Sequence, residues 1–283
     1  MTSLEIETIL AHWALKVIIV PVGKISATRF RSYAELIEEF RVVDLHNITR
    51  PPDSKLQTVQ ESAGQLFFNF FRRKCARSEW EDISTHHRII GVLGLMDCEE
   101  TSDLSAANQR FSSLANDKFP TAVASRCFAF NPVDAQDDLE RSEENKIVVI
   151  PPAPSRQHLI WYLNEWIMDF ANIILESIEQ WIFNFDGIVQ TPYISTRLDP
   201  CRSAEEINKL KKKKPGRQAK IKGDYSLMAC SPRPAMQHYY NAIEMCRSAG
   251  DWEWLAAANE GLCSAMLLLL VFQDALTVVG VRN

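Results

Sequence analysis

Lysine and histidine bind anions and metals, so the places where this chain concentrates them come first. From Lys209 to Lys222 the stretch KLKKKKPGRQAKIK carries eight positive charges and no acid. Each Lys or Arg in such a cluster contributes about 1 kcal/mol near an anionic leaflet. The stretch lacks the interleaved aromatics of a single-strand nucleic-acid groove and the signatures of sequence-specific DNA readers. The formal charge of the whole chain is −5, which is unlike a general polyanion binder. These residues favour a solvated linker, broken by Pro215-Gly216 ahead of the helix that holds Lys220 and Lys222. An anionic membrane or an acidic partner subunit would be its occupant, with Lys211, Lys212, Lys213, Lys214 and Arg217 as the contacts, and nucleic acid is excluded.

Gly23-Lys24 follows a strand-like run and invites a phosphate-loop reading. The upstream glycine of that motif is replaced by Ile18, and Ser26 stands one residue too far on, so a structural turn is the better assignment. Asp82, His86 and His87 would share a metal only with further ligands, and no His-x-x-x-His spacing supplies them. His12, His46, His158 and His238 are scattered singly, with no serine, cysteine or lysine set beside them as a nucleophile. No catalytic residue, cofactor site or metal site is expected. Seven cysteines form an odd, dispersed set without a C-x-x-C pair, and a secretory signal is missing, so the expected setting is reduced and cytosolic. The apolar run LCSAMLLLLVF is about half of the roughly 20 residues a membrane span requires, and no transmembrane segment is expected.

Most of these residues need a scaffold to position them. VIIVPVG, QLFFNFFRR, RIIGVLGLMD, RCFAFNP and KIVVIPP are short apolar runs bounded by turn residues, as strands are. ATRFRSYAELIEEF and LSAANQRFSSLAND carry helical spacing between them. Residues 1–155 therefore predict an α/β domain with a mixed sheet and flanking helices. Asp134 to Glu144 is acid-rich and reads as a solvated loop. After the proline-rich PPAPSR connector a long amphipathic helix follows, with Leu163, Trp166, Ile167, Phe170, Ile174, Ile178, Trp181, Ile182 and Phe185 on one wide apolar stripe. Trp161, Trp166 and Trp181 are expected to bury in the protein's own core. This helix and the basic linker span 156–215.

Residues 216–283 are helical in pattern. Gly223, Ala235, Tyr239 and Ala242 fall at the offsets of a tetratricopeptide hairpin, where small residues let two helices approach and an aromatic fills the crevice. Asp251 caps the next helix, which carries Trp254 and Gly261. One such hairpin leaves an apolar flank that a further repeat would cover.

PGRQAKIKGDYS and DWEWLAAANEGL resemble the first helical repeats of subunit nine of the TRAPP vesicle-tethering complex, the family also called the NIK and IKK-beta binding protein. Gly216, Arg217, Lys220, Gly223 and Asp224 match its first motif; Asp251, Trp254 to Ala258, Glu260, Gly261 and Leu262 match the second. VIIVPVGKIS and WEDISTHHRIIGVLGLMDC agree in the same order, whereas Cys230 and Ser231 replace a usual glycine turn. The resemblance implies an N-terminal portion of a longer chain, tetratricopeptide-like helical hairpins, and a non-catalytic scaffold of TRAPP II. Its partners would be other TRAPP subunits, a Rab GTPase indirectly, and an anionic Golgi membrane; it would be cytoplasmic and peripheral at the Golgi. The family's other name implies an alternative, an adaptor for kinases of the NF-κB pathway.

Overall fold

A computed structural model describes residues 11–48, 54–55, 64–72, 83–101, 103–133, 146–184 and 204–280, the side chains of 184, 207 and 272–280 excepted. β1 (Ala14–Pro21) is buried on both faces, with Leu15, Val17 and Ile19 on one and Ile18 and Val20 on the other. A strand of that kind belongs at the centre of a sheet covered on each side. The other strands are β2 (Val42–Asp44), β3 (Gln65–Phe71), β4 (Gly91–Asp97), β5 (Ala124–Phe130) and β6 (Ile147–Val149). They lie in the order β2-β3-β1-β4-β5-β6, and β2 runs antiparallel at one edge while every other pairing is parallel. The parallel strands form a doubly wound sheet, whose switch point lies between β1 and β4. The edge strand β2, three residues long, has no clear signal in the sequence.

Helices cover both faces. α1 (Ala27–Ile37) starts at Ser26, whose side chain accepts from Arg29 N–H, and α2 (Leu104–Lys118) at Asp103, which accepts from Ala106 N–H at 2.9 Å. Leu104, Ala107 and Phe111 of α2 pack on Ile18, Val92, Met96, Cys127 and Ala129. The opposite face takes α1 and the long α3 (Arg156–Asn184), where Leu163, Ile167, Phe170, Ile174, Ile178 and Ile182 are buried as expected, Trp166 and Trp181 are half-buried against them, and Phe185 lies outside the described residues. Each buried residue of that stripe contributes about 1.5–3 kcal/mol. Trp161 departs from expectation and is 60% exposed. It stands two residues before Leu163, roughly 200° around the helix from that stripe. The acid-rich stretch from Asp134 to Glu144 lies outside the described residues.

Three further helices, α4 (Ala204–Met228), α5 (Pro232–Ala249) and α6 (Trp252–Gly280), join the same apolar core as the α3 face of the sheet. Two short turns connect them, which sets consecutive helices side by side and antiparallel. At the first, Cys230 adopts a left-handed conformation (φ 57°), and Ser231 N–H returns to Ser226 O at 2.8 Å. At the second, Gly250 does the same (φ 66°), and Asp251 N–H returns to Cys246 O at 2.9 Å. Both are the usual left-handed helix stop, with a cysteine doing at the first what glycine does at the second.

The basic run is not a linker. Lys209–Lys222 lies wholly within α4, and Pro215 sits inside that helix. Proline there removes a hydrogen bond to the carbonyl of Lys211 at a cost of about 3 kcal/mol. Both residues are exposed, so water can serve that carbonyl, and the packing of Gly216, Arg217, Lys220 and Ile221 beyond it offsets the loss. In α6 the span Trp252–Val271 is long and apolar enough to cross a membrane by length and composition. Trp254, Ala258, Ala265 and Leu268 of that span are buried against the protein, while Trp252, Met266, Leu267, Leu270 and Val271 are exposed.

Candidate functional site

Lys213, Gly216, Arg217, Lys220, Gly223 and Asp224 recur at three and four along α4, so they share one face. That face is turned inward. Arg217, 1% exposed, donates from Nε to Asp251 Oδ2 at 2.6 Å and from Nη2 to Oδ1 at 3.2 Å. Its guanidinium lies 5.1 Å from the ring centre of Trp254, and Lys213 Nζ approaches Asp251 Oδ1 at 3.4 Å. Arg217 therefore cannot serve as a membrane or partner contact: its charge is spent inside the protein, binding the start of α6 to α4. Lys211, Lys212 and Lys214, on the other faces of the same helix, are exposed.

One turn further on, Asp224 joins three elements: α4, α5 and the turn before β4. Its Oδ2 accepts from Lys220 Nζ at 2.6 Å and from the backbone N–H of Thr85 at 3.3 Å, and its Oδ1 accepts from Tyr239 Oη at 2.8 Å. Lys220 Nζ also donates to the carbonyl of Ile83. The helices are thereby fastened to the turn that leads into β4, with charges that burial would penalise if they were unpaired. Tyr239 is fixed by shape as well. A Cβ added at Gly223 would lie 2.7 Å from its Cε1, and one added at Gly261 would lie 2.5 Å away, so both glycines are needed for close approach. Ala235, Ala242 and Trp254 are fully buried in the same region. Burial, then the Asp224 charge and hydrogen bond, holds the Tyr239 hydroxyl protonated well above its ordinary pKa.

The histidines that looked scattered are partly assembled. The rings of His12 and His86 lie 4.0 Å apart, and those of His86 and His87 lie 4.2 Å apart. His12 Nε2 meets Glu260 at 3.3 Å. Burial first, then the neighbouring histidines and lysines, drives His86 down to about 2. The same burial lowers His12, against the pull of Glu260. Among the described residues no group of three or more His, Cys, Asp or Glu is arranged to hold a metal, and Asp82 lies outside them.

At the switch point, where doubly wound sheets commonly admit ligands, side chains of the chain itself fill the space. Asp97, at the carboxyl end of β4 and fully buried, accepts from Arg29 Nη1 at 2.7 Å, Tyr33 Oη at 3.0 Å, Asn131 Nδ2 at 3.2 Å and Glu99 N–H at 3.0 Å. Burial and the Asp97 carboxylate raise the Tyr33 phenol to about 12. Where a Cβ would stand on Gly23, Thr101 Oγ1 would be 2.5 Å away, and this hydroxyl accepts from Lys24 N–H at 2.9 Å. Lys24 is thus held at a filled turn, as the missing motif glycine implies. The sequence reading missed Asp97, Lys220 and His12 as network members.

A doubly wound sheet domain to which a buried ion network fastens three long helices defines a class of architecture: an α/β unit joined to a helical layer. The chain belongs to the Trs120/TRAPPC9 family, matching the model of its N-terminal domain over residues 8–205 and 185–279. The trafficking protein particle complex II-specific subunit 120 homolog of Oryza sativa subsp. japonica is 35% identical over 90% of this chain, and its Arabidopsis thaliana counterpart 31% over 90%. The human trafficking protein particle complex subunit 9 is 24% identical over 91%. The chain spans about a fifth of those relatives' length, 22%, 22% and 21% respectively. Both resembling motifs map onto the buried network: Arg217, Lys220, Gly223 and Asp224 from one, Asp251, Trp254 and Gly261 from the other, while Glu260 of the second is exposed beside His12.

Proposed function

We propose that this chain acts as a non-catalytic scaffold subunit of the TRAPP II tethering and Rab guanine-nucleotide-exchange complex, in Golgi vesicle-mediated transport. The observation that carries the reading is the family match together with its physical content: the shared motif residues hold a framework rigid. Arg217 and Lys220, the cations of the first motif, serve this internal bonding. Gly223, Ala235, Tyr239, Ala242, Trp254 and Gly261 make α4 to α6 tetratricopeptide-like, and the apolar edge of α6 is the flank on which another helical layer or subunit would rest. The partners are other TRAPP subunits and, through them, a Rab GTPase; Lys211, Lys212 and Lys214 supply attraction to an anionic Golgi membrane or an acidic partner. The setting is cytoplasmic and peripheral at the Golgi.

Affinity purification of the tagged chain, with quantitative mass spectrometry, tests the proposal. The small TRAPP subunits are expected to co-purify with it, and they should do so equally with Lys211, Lys212 and Lys214 changed to Gln if those lysines serve the membrane. A chain that recovers no TRAPP subunit at all would refute the scaffold reading.

A further inference from the structure

Three histidines from two distant segments meet at the corner where the helical layer rests on the sheet. His12 stands just before β1, and His86 and His87 just before β4, at the amino-terminal ends of two neighbouring parallel strands. Their rings form a continuous row, with centres 4.0 Å apart for His12 and His86 and 4.2 Å apart for His86 and His87. Solvent still reaches it: His87 is exposed, and the other two are half-buried. Two helices close over this corner. Glu260 of α6 meets His12 Nε2 at 3.3 Å, and on α4 Lys220 and Asp224 bond to the backbone of Ile83 and Thr85, in the turn that carries His86.

Charge around the row is unequal. His12 faces two carboxylates, Asp224 and the exposed Glu260, and one cation, Lys220. His86 faces Lys16 of β1 and Lys220 besides the other two rings, and His87 faces Lys16, Lys220, His12 and Glu260. Lys16 Nζ also donates to the carbonyl of His87 at 3.4 Å, and Arg88, the next residue, is buried. From α5 comes Tyr239, bonded to Asp224 and held protonated, and from β3 the apolar Phe67 against Trp13. A first proton therefore has a place, between His12 and Glu260. A second has none, because it would set two positive rings in contact with Lys16 and Lys220 close by. Burial and this repulsion hold all three histidines below their ordinary range.

We infer that the His12–His86–His87 row is a pH-sensitive catch: neutral, it seats α4 and α6 on the sheet, and protonated in acid it lets them part from this corner. In the parted state each ring is solvated and takes its proton near its ordinary pKa of about 6.5. In the seated state it does not, so parting takes up protons and is favoured as the pH falls. Each ring that stays neutral when seated shifts the balance about tenfold between about pH 7.5 and about pH 5.5. Glu260 works the other way, since it stabilises a proton on His12 in the seated state. The catch is a property of the fold and does not rest on the scaffold proposal.

Hydrogen–deuterium exchange of the purified full chain, read by mass spectrometry at about pH 7.5 and about pH 5.5 and corrected for the intrinsic pH dependence of exchange, is the test. Peptides covering 83–90, 217–228 and 254–263 are expected to lose at least about tenfold in protection in acid, while those covering β5 and α2 keep theirs. His86→Gln should remove most of that loss, with its melting temperature at the higher pH showing that it is folded. Glu260→Gln, a change at an exposed position, should leave protection at the higher pH unchanged and deepen the acid loss at least about threefold. A carboxylate that merely packs at the corner would not shift the pH response in that direction. Equal loss of protection in β5 and α2 would be global acid unfolding and overturns the catch. So does a folded His86→Gln with the wild-type pH response, or a Glu260→Gln no more sensitive to acid than wild type.

Discussion

Replacing Arg217 with Met separates the two roles its sequence position allows. As a surface contact, the residue could lose its charge with a stability change within about 0.5 kcal/mol. As the partner of Asp251, it cannot. Both side chains are nearly inaccessible, at 1% and 3% exposure, and the pair is bidentate at 2.6 and 3.2 Å. Removing one partner of a buried pair costs about 3–5 kcal/mol, because the remaining charge stays in a poor solvent. Lys213 at 3.4 Å from Asp251 gives partial compensation, which places the expected loss near the lower limit, about 3 kcal/mol. The lost stacking over Trp254 is part of that figure. Against a total of about 5–15 kcal/mol for a typical domain, this is a large fraction.

Urea unfolding followed by tryptophan fluorescence and circular dichroism provides the assay. With a slope of about 1–3 kcal/mol per molar urea, the midpoint should fall by at least about 1 M. Arg217→Lys should recover only part of the loss, since an ammonium cannot reproduce the fork. In the double variant Arg217→Met, Asp251→Leu the loss should be smaller than the sum of the single losses by more than about 1 kcal/mol. A midpoint for Arg217→Met equal to wild type, with vesicle binding reduced, would refute the reasoning and restore Arg217 to the surface.

Gly261→Ala should destabilise the helices by about 1–3 kcal/mol, because its Cβ would stand 2.5 Å from the Tyr239 ring; a calorimetric melting temperature equal to wild type would show that the ring can move aside. Tyr239→Phe should cost about 1–3 kcal/mol through the bond lost to Asp224, measured in the same way. His86 titrates near 2 when folded and near 6.5 when unfolded, so below pH 6.5 the unfolded chain binds the additional proton. Stability should therefore fall with pH by about 1.4 kcal/mol per unit from this residue, and His86→Gln should flatten the urea midpoint profile over that window. Burial pushes the thiols of Cys98 and Cys246 up to about 11 and that of Cys230 to about 12, while Cys263 is exposed. Peptide mapping after brief alkylation should find Cys263 modified before those three, and equal labelling of Cys246 would contradict the packing of α4 on α5.

The longer strands and the long helix α3 were legible because their apolar periods are local. Leu163 to Ile182 repeats at helical spacing whatever it packs against. β2 escaped notice because three residues carry too little pattern, and its existence depends on β3 offering an edge. His12 and His86 were unreadable as neighbours for a related reason. In the β1–β4 register Val17 pairs with Gly91, and counting five residues back on each strand gives His12 and His86. That juxtaposition exists only once the strand order is known. Asp97 likewise has partners 68, 64 and 34 residues away in sequence.

The basic run misled for a different physical reason: net charge and helical phase give opposite indications. Eight positive charges without an acid suggest solvent, and Pro215 suggests a break. Yet Arg217 and Lys220 meet their counter-charges on α6 and one turn along α4, at Asp251 and Asp224, while Gly216 and Gly223 between them admit close neighbours. A helix can therefore be basic overall and still bury part of that charge, provided acids wait at the right positions. The division between inward Arg217 and Lys220 and outward Lys211, Lys212 and Lys214 is what lets one helix brace the fold on one side and keep exposed positive charge on the other.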